Sequence, residues 1–315
     1  MYPQVISIGE ALVEIMRKDR HTAFTVPGSF VGPFPSGAPA IFISGVARLS
    51  NNALSTGFIG VTGNDDFSHI LIQRLTEDRV DISQMRKSSL FTGTAFIRYL
   101  PDGSRKFIFH PGAAERISPS DIQEEYFSKI ALLHITGSSL FLSNSSCAAC
   151  EKALDIALQK KAIISFDPNI RPEMALFSKN IGIVNRFLEK SDLLFATEEE
   201  MELLSNKKKV TGACKDLLAK GVSTVIIKKG KEGSEIITST QSWKIPSLAV
   251  KVQDPTGAGD TYAAGFVAGF LQGKPLPQCG LLASYGASLK CTRQGPMSIP
   301  SLQEVEEYLK KETIL

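Results

Sequence analysis

Short apolar runs alternate with longer amphipathic stretches along most of the chain. Val5-Ile6-Ser7-Ile8, Leu132-Leu133-His134-Ile135, Ile163-Ile164-Ser165-Phe166, Leu193-Leu194-Phe195-Ala196 and Thr224-Val225-Ile226-Ile227 carry no charged residue. Each is followed by a polar or glycine-containing cluster, the pattern of a strand buried on both faces. Helix-like stretches separate them, at 41–49, from about Phe67, at 147–160, around 180–189, from Glu198 and at 211–219. Gly63-Asn64-Asp65-Asp66 is a turn that caps the second of these helices. Strands and helices in regular alternation predict an α/β protein whose mostly parallel sheet is covered on both faces. Ligands on such sheets bind at the carboxyl ends of the strands, where the polar clusters fall.

The alternation breaks twice. Residues 10–35 are rich in turns and extended positions and do not read as a helix. From Thr92 to Phe109, two alternating runs, Thr94–Tyr99 and Arg105–Phe109, flank Pro101-Asp102-Gly103. That is a hairpin signature, and an antiparallel insert in an α/β protein is a candidate lid.

Composition narrows the classes. A chain of 315 residues that is 43% hydrophobic can bury a sizeable core. A formal charge of +3, with no dense basic run interleaved with aromatics, argues against a nucleic-acid partner; Lys207-Lys208-Lys209 reads as a solvated loop. No run approaches the ~18 apolar residues of a membrane span, and Glu10 and Glu14 interrupt the N-terminal apolar stretch, unlike a signal peptide. Five cysteines fit a reducing compartment, the cytoplasm. Cys147 and Cys150 have metal-like spacing, but no second pair completes a site, so they read as small residues near a helix start. His134, inside an apolar strand, reads as a core residue.

The densest candidate chemistry is Asp254-Pro255-Thr256-Gly257-Ala258-Gly259-Asp260, set against the apolar run 261–270. Ala263, Phe266, Val267 and Phe270 repeat at helical spacing, and Gly273 and Pro275 supply the stop. The glycine turn therefore opens a buried helix whose first N–H groups lack intrahelical partners. Such a start is an anion site, and glycines let its backbone approach a phosphate. Asp260 beside a phosphate would be repelled unless it takes a proton from an attacking hydroxyl. The same residues also suit a plain helix start, with Asp260 as a cap and the glycines shaping the turn. There is no Gly-x-x-x-x-Gly-Lys-Ser/Thr loop, and no Gly-x-Gly-x-x-Gly after the first strand; P-loop and dinucleotide chemistry are thereby disfavoured.

The stretch from Asp254 to Asp260 resembles the second signature of the PfkB (ribokinase-like) carbohydrate kinases, and the resemblance extends from Val5 to about Met297. It implies a ribokinase-like three-layer α/β/α sandwich, a single kinase domain over 1–315 with lid segments at about 10–34 and 91–111. It implies an ATP-dependent kinase with Asp260 as general base and the backbone of Gly257, Ala258 and Gly259 as anion hole. Gly9-Glu10-Ala11-Leu12-Val13-Glu14 is similar to the family's opening turn, with Glu14 toward a sugar hydroxyl. Ser36-Gly37-Ala38-Pro39-Ala40 resembles the first signature, although Ser36 replaces a glycine and Ile41 stands where an Asn is usual. Asp167-Pro168-Asn169-Ile170-Arg171 would turn Asn169 and Arg171 toward substrate and phosphates. Thr197-Glu198-Glu199-Glu200 matches an Asn-x-x-Glu motif, with Thr197 for Asn and Glu200 acting on magnesium through water. Lys228, Gly230 and Gly233 resemble the loop flanking the nucleotide.

By the same resemblance the cofactors are ATP and Mg2+, and a potassium ion beside the anion hole is a further one that the family allows. Relatives acting on 2-keto-3-deoxygluconate carry Tyr-Tyr-Arg where this chain has Ile108-Phe109-His110. An imidazole is not a permanent cation, so Phe109 and His110 point toward a neutral sugar, and residues 31–40 resemble a branch labelled tagatose kinase. A ketohexose is therefore expected. A 2-keto-3-deoxygluconate kinase, a nucleoside kinase and a non-catalytic sugar-binding protein on the same fold are the alternatives. Exposed lid strands are edges that could pair between subunits, which would give a homodimer.

Overall fold

Strands form where apolar residues are shielded on both sides, and the first strand, β1 (Val5–Ile8), is wholly buried. The computed structural model describes residues 2–19, 22–100, 105–170, 177–205 and 209–312. Numbering strands in chain order, β1 lies between β4 (Thr56–Thr62) and β8 (Leu132–Thr136), parallel to both. β5 (Asp81–Lys87) extends the sheet at one edge. On the other side follow β9 (Ile163–Asp167), β10 (Leu193–Thr197) and β11 (Thr224–Lys228), all parallel. An antiparallel hairpin, β12 (Ser234–Ile237) and β13 (Ser242–Ile245), closes that edge. The result among the described residues is a nine-stranded sheet of order β13-β12-β11-β10-β9-β8-β1-β4-β5.

Register brings the strand ends together. Thr136 faces Asp167 across β8 and β9, and Thr197 faces Lys228 across β10 and β11. These carboxyl ends form one rim, as the alternation predicts. Helices cover both faces. One core cluster includes Phe42, Val46, Phe266 and Leu282; the other includes Leu154, Phe166, Phe187 and Ile227. The fold is the α/β architecture expected from the sequence. No helix among the described residues is long and apolar enough to cross a membrane.

Helix boundaries moved where caps decided them. The helix expected at 41–49 is Ala38–Leu49, because Pro39 is tolerated in a first turn whose N–H groups have no helical partner. The helix expected at 147–160 is Asn144–Gln159, since the Ser143 hydroxyl accepts from Ser146 N at 3.0 Å. The Asp65 carboxylate caps Asp66–Glu77 by accepting from Ser68 N at 2.9 Å.

A second sheet carries the two irregular stretches. It has the order β3-β2-β6-β7, from β2 (Leu12–Arg17), β3 (Phe30–Ser36), β6 (Gly93–Tyr99) and β7 (Arg105–His110). β6 and β7 pair antiparallel with Tyr99 opposite Arg105; the Pro101-Asp102-Gly103 turn lies outside the described residues, as do Lys207 and Lys208. His134 is a core residue. Its Nδ1 is 2.8 Å from Ser165 Oγ, its ring stacks on Phe42, and burial pushes its pKa well below the imidazole value. Cys147 and Cys150 are buried free thiols, and burial pushes that of Cys147 up to about 11.

The Ala258–Leu271 helix is pressed against Leu276–Cys291, and a Cβ at Gly265 would lie 2.8 Å from Ala283 Cα. Main chain cannot yield as a side chain can. Gly265→Ala therefore lowers stability by about 1–2 kcal/mol, because overpacking outweighs the ~1 kcal/mol that alanine adds to an isolated helix. A urea midpoint that rises in the variant would contradict this close crossing.

Candidate active site

Gly257 precedes the Ala258–Leu271 helix in a left-handed conformation, φ 80° and ψ 2°. A Cβ there would also lie 2.6 Å from Pro296 O, so glycine is required twice over. Asp254 holds the turn from behind. Its Oδ1 accepts from Thr256 N at 2.9 Å and from the Tyr99 hydroxyl at 2.5 Å. Its Oδ2 accepts from Gly295 N at 2.9 Å, and its main-chain carbonyl accepts from Lys290 Nζ at 2.8 Å. Burial alone would raise the Asp254 pKa, but the Lys290 charge and these hydrogen bonds hold it below the usual carboxylate value. Tyr99 belongs to β6 of the small sheet, and its hydroxyl is also 2.7 Å from Thr256 Oγ1. The two sheets thus meet at this turn.

Asp260 sits in the first turn of the helix, mostly buried, and lines a cavity between the two sheets. Asn169 Nδ2 donates to Asp260 Oδ1 at 3.4 Å. Asn169 has a φ of 38°, a region that asparagine tolerates better than most side chains. The Asp167 carboxylate stabilises that bend, accepting from Asn169 N at 3.1 Å, and its other oxygen accepts from Lys228 Nζ at 2.6 Å. Burial disfavours the Lys228 ammonium, but Asp167, Glu200 and Asp260 together hold its pKa above the ordinary lysine value. A Cβ added at Gly259 would be 3.5 Å from Lys228 Nζ, so this cation lies over the helix start.

Glu200 and Thr197 form a reciprocal cap. Glu200 Oε2 accepts from Thr197 N at 2.8 Å, and Thr197 Oγ1 accepts from Glu200 N at 3.2 Å. Glu200 Oε1 accepts from Ile170 N at 2.9 Å, which ties the loop after β9 to the end of β10. Gly230 and Gly233 shape the turn after β11 with φ of 57° and 87°. They stand on the same rim as Lys228.

The cavity has about 110 Å³ of water-accessible space. Of the residues singled out from sequence, Glu14, Ser36, Gly37, Phe109, Asn169, Gly257 and Asp260 line it. Glu14 Oε1 accepts from Ser36 Oγ at 2.7 Å inside it. His110 is not brought there. Phe107 and Phe109 face the cavity, and successive strand residues alternate, so Ile108 and His110 fall on the opposite face. His110 Nδ1 instead accepts from Gly112 N at 3.1 Å. Arg171 lies outside the described residues.

Sequence reasoning missed Glu10, Ser138 and Phe107. The Glu10 carboxylate accepts from Ser138 Oγ at 2.7 Å and Ser139 Oγ at 2.9 Å. Its position just after β1, and that of Gly137-Ser138-Ser139 just after β8, carried the same polar-after-strand signal as Asp167.

A model of the pfkB family carbohydrate kinases matches residues 3–303. The chain is 27% identical over 319 residues to a 5-dehydro-2-deoxygluconokinase of Geobacillus thermodenitrificans, covering 97% of this chain and 92% of that protein. A crystal structure from E. coli named Ribokinase II, in complex with ATP and Mg2+, superposes with a TM-score of 0.92 at 36% identity, covering 98% of this chain and 99% of that one. Ribokinase from Thermotoga maritima gives 0.81 at 26% identity, covering 98% and 100%.

Tyr99→Phe removes the hydroxyl that joins the small sheet to the turn and leaves the buried Asp254 carboxylate one donor short. We expect a loss of about 1–2 kcal/mol in chemical denaturation. An unchanged midpoint would mean that this contact does not hold in solution.

Proposed function

The chain belongs to the pfkB family of carbohydrate kinases, and from that premise we propose that it phosphorylates a hydroxyl, the primary one, of a small neutral sugar, with a ketohexose first. The charge of the cavity carries this choice. Glu10, Glu14 and Asp260 line it, and no Lys, Arg or His is among its described lining residues. Sugar hydroxyls donate to carboxylates, whereas an anionic substrate among three of them would be repelled at low dielectric.

In this reading the Asp260 carboxylate takes the proton of the attacking hydroxyl. The N–H groups of Gly257, Gly259 and Asp260 and the positive end of the helix receive the charge that develops on the phosphoryl oxygens, whereas Ala258 N, expected in the same role, donates to Pro255 O at 3.2 Å. Lys228 adds a cation on the same side, and Arg171 is a candidate for a second. Gly230 and Gly233 allow the nucleotide to lie against the rim. Magnesium carried by ATP supplies charge neutralisation on the phosphates. Glu200 suits indirect contact with that ion, because both its oxygens already accept backbone N–H groups and their remaining lone pairs can accept from water. The small sheet acts as a lid that keeps water from competing with the sugar.

A second reading has support of its own. The 26–27% identical relatives in Geobacillus are named for a sugar acid kinase. Arg105 Nη1 lies 3.4 Å from Thr256 Oγ1, and Thr256 lines the cavity. Arg105 is the cation that would meet a substrate carboxylate under this reading.

A panel of ketohexoses, ribose, adenosine, 2-keto-3-deoxygluconate and 5-dehydro-2-deoxygluconate, assayed with ATP and Mg2+, decides between them. The neutral sugars are expected to turn over faster; a sugar acid that outpaces every ketose reverses the choice. Asp260→Asn is expected to reduce kcat by roughly 10²–10⁴ with the melting temperature retained. Equal turnover in the two proteins would remove Asp260 from the mechanism.

A further inference from the structure

Lys290 is fully buried, in the last turn of the Leu276–Cys291 helix. A lysine in that position is expensive unless its charge is matched. Its Nζ donates to the main-chain carbonyl of Asp254 at 2.8 Å and stands 4.0 Å from Asp254 Oδ2. Burial pulls its pKa down; the Asp254, Cys291 and Glu14 side chains act against that, and Arg105 adds to it.

The placement has two effects. The ammonium fixes the residue from which the glycine turn departs, and Asp254 in turn fixes Thr256 N and Gly295 N. It also puts an amine against Asp254, the residue that opens the 254–260 turn. A potassium ion serving the same turn would need carbonyl and carboxylate oxygens as ligands. The Asp254 carbonyl is such a ligand, and it already accepts from Lys290. The residues here therefore do not suit a potassium site built on Asp254.

We infer that Lys290 is a built-in monovalent cation, a positioning residue behind the phosphate-binding turn that makes the reaction independent of added potassium. The inference rests on the reading of 257–260 as the anion hole. It predicts that the wild-type protein needs no small cation, and that removing the amine creates a need for one.

The test compares wild type and Lys290→Ala at constant ionic strength in potassium, ammonium or tetramethylammonium chloride. Both turnover with ATP and the melting midpoint are read. Wild-type kcat and midpoint are expected to agree within about twofold and one degree across the three salts, a spread that equates with less than half a kcal/mol in the barrier. Lys290→Ala is expected to lose at least tenfold in kcat in tetramethylammonium, and to regain part of it, with a higher midpoint, in potassium or ammonium. A tenfold rise of wild-type turnover in potassium over tetramethylammonium overturns the inference, and this measurement stands even if the variant does not fold. So does a folded variant that keeps its kcat in tetramethylammonium, or one whose loss no cation restores. Failure of the kinase reading itself is seen separately, as no wild-type turnover with ATP in any of the salts, and the midpoints need no turnover to be read.

Discussion

The backbone of residues 254–260 must be held in one conformation while the uncapped start of the Ala258–Leu271 helix faces the cavity. That is the constraint on which the rest of the structure depends. The helices Asp66–Glu77 and Asn144–Gln159 satisfy first-turn donors with side chains, those of Asp65 and Ser143. Here Gly257 enters with positive φ and no side-chain cap, and the order comes from behind, through the Asp254 carboxylate and the Lys290 amine. Hydrogen bonds placed on the rear of a turn cost nothing at its front. The front stays available for an anion, and the close packing at Gly265 keeps the helix from drifting.

The neighbouring charges follow the same logic. Asp167, Lys228, Glu200 and Asp260 form one cluster at the ends of β9, β10, β11 and the glycine turn. Each carboxylate in it is given a structural partner, Asn169 N for Asp167, Ile170 N for Glu200 and Asn169 Nδ2 for Asp260. Such partners fix where the charges stand without consuming all of their lone pairs. A rim assembled from separate strand and helix ends can therefore hold three carboxylates at close quarters, because the Lys228 ammonium stands among them and each accepts hydrogen bonds of its own.

Much of this was legible in the sequence, for physical reasons that differ by residue. β8, β9, β10 and β11 are buried on both faces, so they read as unbroken apolar runs. β5 is an edge strand, half exposed and polar, and it left no such trace; the β12–β13 hairpin has no asparagine–glycine turn to betray it. Asp260 and Gly257 could be singled out because local chemistry made them odd, and Asn169 because its stretch resembles a family motif. Glu10 carried only the general polar-after-strand signal, because its partners Ser138 and Ser139 lie on another strand end and only the β1–β8 register brings them near. Phe109 and His110 were adjacent letters of one motif, and only the pleat separates them. Lys290 could not be singled out, because basic residues commonly close helices and its burial depends on the turn that packs over it.

The Tyr99 hydroxyl couples the small sheet to the glycine turn. It is the end of a strand that also shapes the wall of the cavity, and it is bonded to the turn that would hold phosphate. Swinging the small sheet outward must break that bond and expose a carboxylate that prefers company. Any opening of the cavity on that side and the alignment of the turn would then hang on a single oxygen atom.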